Sequence, residues 1–96
     1  MTRIETFKAV RKECIDQTSP GMEAVFKPIL EQLDYLIAFE LNETIDRSLV
    51  QNVDIGLRAL RNLDDVLPEL TKRLYEVQRM ADRMAEENGM KNRLAV

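Results

Sequence analysis

The stretch "LDDVLPEL", Leu63 to Leu70, sets two adjacent carboxylates, Asp64 and Asp65, just upstream of a proline. Neighbouring acids can share a proton for acid–base work or form the corner of a metal site. Either use needs a partner, and the sequence offers few. It contains no histidine and no tryptophan, so proton-shuttling imidazoles, Ser–His or Cys–His nucleophile pairs and the usual zinc ligand sets are excluded. The three glycines (Gly21, Gly56, Gly89) are too scattered for a phosphate-cradling loop. A carboxylate enzyme built on Asp64 and Asp65 is conceivable, yet nothing assembles one. The pair reads as punctuation between two helices, and no catalytic residue, metal ligand or cofactor is expected.

The single cysteine, Cys14, cannot form an intrachain disulfide and is expected as a small core residue, which fits a cytoplasmic location. No apolar run is long enough for a membrane span, and the first residues lack the apolar centre of a signal peptide. A net charge of −3 leaves no basic surplus for phosphates, so nucleic acid is not an expected partner.

What could position the remaining side chains is a set of helices. At 96 residues the chain makes one domain, with room for one core. Ile4, Phe7, Val10, Cys14 and Ile15 share a stripe, opened by a Thr2/Glu5 capping box. "QTSPG" ends that segment, and Ser19 and Pro20 are placed to cap and begin the next helix. Met22, Val25, Phe26, Ile29, Leu30, Leu33, Leu36 and Ile37 then keep one phase straight through Pro28, which implies a kink or a short helix leading into a longer one.

After "NETIDRS", where Asp46 or Ser48 can cap, Leu49, Val53, Gly56, Leu60, Leu63 and Leu67 repeat at helical spacing. Leu70, Leu74, Val77, Ala81 and Met84 follow. This phase crosses Pro68 unbroken, so one long kinked helix competes with two antiparallel ones. A capping Asp, a first-turn Pro68 and the acidic Glu69 favour the turn. The expected fold is an all-α compact antiparallel bundle of about four helices, the first the shortest. Residues 1–88 would form a single helical bundle domain, with 89–96 a flexible tail beyond an Asn88-Gly89 helix stop. Leu33 and Leu60 are expected in the core, and Gly56 is expected at a close helix crossing.

Two features are left over. Tyr35 and Phe39, four apart, lie nearly opposite Leu33 with Glu31 and Asp34 nearby. That aromatic pair with acidic neighbours has the make-up of a protein-binding hot spot, although a helix buried on both sides would explain it too. Acidic residues also gather near helix ends: Glu40, Glu43, Asp46, Asp64, Asp65 and Glu69. They suit a rim that attracts a basic partner as well as simple capping.

Several marks in order then resemble a known family: Pro20-Gly21 with Glu23, "QLDYLI" (32–37), "DRSL" (46–49), "GLRALR" (56–61) and "PEL" (68–70). They resemble the small helical immunity proteins that bacteria pair with type VI secretion toxins, best known for NAD(P)+ glycohydrolase effectors. Over residues 20 to 75, the resemblance implies a cytoplasmic, non-enzymatic protein that binds a cognate effector toxin domain and occludes its active site. Related immunity proteins serve toxins of other nucleotide chemistry, such as pyrophosphokinases. The matching residues are mainly structural, so the expected contacts come from exposure instead. They are Glu31, Asp34, Tyr35, Phe39 and Glu43, with Asp64 and Asp65 as a lesser rim. The competing expectation is a self-associating helical adaptor built on the 49–84 heptads, and a homodimer is compatible with both.

Overall fold

The computed structural model describes residues 1–94. Four α-helices appear in the order α1 (Arg3–Gln17), α2 (Glu23–Glu40), α3 (Ile55–Asn62) and α4 (Pro68–Leu94), with a 3-10 segment, Arg47–Asn52, ahead of α3. No strand occurs among the described residues. The body measures 48 × 25 × 21 Å, its long axis set by the 27 residues of α4.

Local chemistry explains most boundaries. Thr2 and Glu5 form the expected capping box at the start of α1. At the other end, Ser19-Pro20-Gly21-Met22 differs from expectation. The Met22 N–H donates to the Ser19 carbonyl at 3.0 Å, and Gly21 takes φ +93°. That is a type II turn, in which Pro presets the first corner and Gly supplies the left-handed second. Pro20 therefore does not begin α2, which starts two residues after Gly21, at Glu23.

Once started, α2 runs through Pro28 without a break. It closes in a Schellman arrangement: the Glu43 N–H donates to the Ala38 carbonyl and the Asn42 N–H to that of Phe39, with Asn42 at φ 57°.

The segment after α2 departs furthest from the expected continuous helix. Asp46 does cap, accepting from the Ser48 N–H at 3.1 Å, but what it starts is the 3-10 segment. Extended backbone at Val53 then resets the phase before α3 begins. Val50, Val53, Ile55, Ala59 and Leu63 are buried, whereas Leu49 and Leu60, both assigned to the core stripe, are nearly half exposed. This makes α3, at eight residues, the shortest helix, and α1 is not.

The turn before Pro68 is real, so 49–84 is not one kinked helix. No carboxylate caps α4 as expected. Leu67 precedes Pro68 and its carbonyl accepts from the Thr71 N–H. Nor does Asn88-Gly89 stop α4, which continues to Leu94, because Gly89 does not take the left-handed φ of a helix-ending glycine. Positions 95 and 96 of the expected tail lie outside the described residues.

Phe7, Val10 and Cys14 of α1 meet Phe26, Ile29, Leu33 and Leu36 of α2 in one core. The stripe from α4 (Leu70, Leu74, Val77, Ala81, Met84) joins it fully buried, with Ile15 of the first stripe left exposed. Ion pairs fix the helix directions. Arg3 reaches both Glu40 and Glu87 at 3.1 Å, which brings the start of α1 to the end of α2 and the far part of α4. Arg73 pairs with Glu13, tying the start of α4 to the end of α1. Helix α1 thus runs antiparallel to both α2 and α4.

Gly56 lies at a close crossing, as its lack of a side chain implied. A Cβ there would stand 3.1 Å from Cβ and Cγ of Gln78 and 3.3 Å from Tyr75. The Gln78 amide exploits the gap, accepting from the Gly56 N–H at 3.0 Å and donating to the Val53 carbonyl at 2.9 Å.

Candidate functional site: a groove between α2 and the 3-10 segment

The reset at Val53 leaves the 3-10 segment, which packs on α4, with its other side facing α2. Between them lies a groove of about 270 Å³ lined by Glu31, Gln32, Tyr35, Leu49, Asn52 and Val53. Gln32 holds its two walls together. Its amide donates to the Asp54 carboxylate at 2.6 Å, and its carbonyl accepts the Asp54 N–H at 2.9 Å. Burial opposes the Asp54 charge, but hydrogen bonds from Gln32 and Arg58 outweigh it, and the carboxyl titrates below its ordinary value.

Tyr35 is held just as firmly. Its hydroxyl donates to the Asp46 carbonyl at 2.7 Å, and its ring tilts against Phe39 with centroids 6.2 Å apart. Burial raises the Tyr35 pKa, the Asp46 charge adds to the rise, and Arg47 opposes it. The hydrogen bond from the Ser48 hydroxyl, then that from its N–H, lowers the Asp46 pKa.

Of the residues expected at an interface, Glu31 and Tyr35 line this groove. Phe39 does not present its ring to a partner. It is buried, with the Arg47 guanidinium 3.7 Å from its ring centre, because α2 buries part of its second side under the 3-10 segment. Asp34 is exposed and paired with Arg11 at 2.5 Å. Glu43 is exposed beyond the end of α2.

Asp64 and Asp65 are exposed in the α3–α4 turn, and neither makes a side-chain hydrogen bond or ion pair among the described residues. They sit at the end of the bundle where α4 starts, the opposite end from Glu40 and Glu43. The acidic residues therefore do not form one rim. Leu49 and Asn52 were not singled out as surface residues, because their exposure follows from the phase reset, while Val53 lines the groove although it is 9% exposed. An exposed Leu49 beside a buried Val50 carries the trace of that reset.

Among the described residues no group of three or more potential ligands is placed to hold a metal ion. Nor, among the described residues, is any helix long and apolar enough to cross a membrane. Cys14 is sealed in the core, where burial, aided by the Glu13 charge, pushes its thiol up to about 12.

An all-α bundle is the fold that the resemblance to immunity proteins implied. The family comparison agrees: the chain matches a family model of type VI secretion immunity proteins over residues 5–83. It belongs to that family, Tsi6. No curated protein and no solved structure gives a significant match.

Proposed function

We propose that this chain neutralises a cognate type VI secretion effector by binding its toxin domain and covering the active site, and that the toxin degrades NAD(P)+. The family match over residues 5–83 carries the reading. The chemistry of the chain is compatible with it, since steric blockade needs no reactive group. It needs a stiff surface of about 800 Å² per partner, which one side of a 48 × 25 Å body can supply. Contacts centre on Glu31 and Tyr35, with Asp34 and Glu43 toward one end. Asp64 and Asp65 would form a separate contact.

The test is enzymatic. A type VI effector should be encoded beside this gene, and its toxin domain should co-purify with the chain and lose its NAD+ turnover at one equivalent. A toxin that stays fully active at saturating chain, with no association, overturns the reading.

One observation favours a second reading, self-association. Leu57 and Leu60 of α3 are 44% and 49% exposed, and spacing of three puts them on one side of the helix. A dimer in sedimentation that Leu60→Asp dissociates, without any toxin partner, would support it.

A further inference from the structure

We propose that the groove between α2 and the 3-10 segment receives one arginine or lysine side chain from the toxin domain. This deepens the neutralising function and rests on it. The occupant follows from what the groove has free to offer. Both ends of the Gln32 amide are engaged with Asp54, and the Tyr35 hydroxyl hydrogen is committed to the Asp46 carbonyl. Glu31 is exposed at the edge and makes no ion pair among the described residues. No Lys or Arg lines the groove.

What remains is a negative charge, the Asn52 side-chain oxygen, an aromatic ring, and apolar surface from Leu49 and Val53. A phosphate or carboxylate would meet Glu31 with only the Asn52 amide to donate to it. A basic side chain finds complements along its whole length. Its aliphatic stem lies on Leu49 and Val53, and its cationic head meets the Tyr35 ring and the Glu31 carboxylate.

Size supports the same occupant. At about 270 Å³ the groove falls below the roughly 300–1,000 Å³ of small-molecule pockets. It suits a side chain better than a dinucleotide. It is also preformed, because Tyr35 is pinned by Asp46 and Phe39 before any partner arrives, which lowers the ordering cost of binding.

The experiment is a calorimetric titration of the toxin domain of the effector encoded beside this gene into wild type, Glu31→Lys and Leu49→Asp. Both positions are exposed, and thermal melts verify folding of each variant. The charge reversal and the apolar loss should each weaken binding by roughly 100-fold. Glu86→Lys on the exposed side of α4 should stay within about twofold of wild type. Changing one toxin Arg or Lys to Glu should restore binding to Glu31→Lys.

Wild-type affinity that survives both groove substitutions overturns the groove and leaves the neutralising function standing. Failure of the wild type to bind removes both. Shifts of the Tyr35 resonances on adding NAD+ alone overturn the assignment in favour of a nucleotide site.

Discussion

Helix α2 and the segment from Arg47 to Leu63 contribute to the same core by different means. In α2 a single helical phase puts Phe26, Ile29, Leu33 and Leu36 inside, with Leu30 partly buried beside them, even across a proline. The later segment has no single phase. A 3-10 turn, an extended corner and two turns of helix are held in place by side chains from elsewhere: Gln32 at Asp54, and Gln78 at Gly56 and Val53. One region is specified by its own periodicity, the other by its neighbours.

The largest expected contrast is between two leucines. Leu33→Ala should cost about 2–5 kcal/mol in urea denaturation. Next in size, Gln32→Ala should cost about 1–3 kcal/mol by leaving the start of α3 without its partner. Amide exchange should then quicken over residues 47–63 before it does in α2. Equal exchange in both regions would break the distinction. Gly56→Ala should lose about 1 kcal/mol, the tight approach to Gln78 outweighing the gain in helix propensity. Leu60→Ala, nearly half exposed, should change stability by less than about 0.5 kcal/mol.

The two ends of the pH scale should address the two regions separately. Asp46 and Asp54, which anchor the later segment, have lowered folded pKa values. Their contribution is present above the unfolded value of about 4 and is lost as pH falls through the folded values. Acid should therefore loosen residues 46–58 first, visible as local exchange. Cys14, against the α1–α2 core, is raised from 9.0 to about 12. Its contribution is complete below the unfolded value and declines as pH rises toward the folded one, by at most about 1.4 kcal/mol per pH unit. Cys14→Ala should flatten that alkaline decline in chemical denaturation measured from pH 8 to 11.

This contrast also marks what the sequence made legible. The α4 stripe was readable residue by residue, as were the Thr2/Glu5 box, the turn before Pro68 and the Gly56 crossing, since each depends on spacing or on one residue's own conformational preference. The reset at Val53 was not, because its cause lies in Gln32 and Gln78, about 20 or more residues away in sequence. Misplacing it put Leu49 and Leu60 inside and kept Phe39 outside. The same long-range origin hid half of the groove. Glu31 and Tyr35 were visible as surplus on α2, but their opposite wall comes from Leu49, Asn52 and Val53, which no local period joins to them.

The seclusion of Cys14 has a practical use. It is the chain's sole sulfhydryl, and a residue so deeply enclosed and so reluctant to ionise should stay silent toward maleimide dyes while the fold is intact. A cysteine introduced at Leu49 or at Asp64 would then accept a fluorophore at one defined place with no background. A pair of such labelled proteins would report, by which dye responds first, the end of the molecule a partner touches.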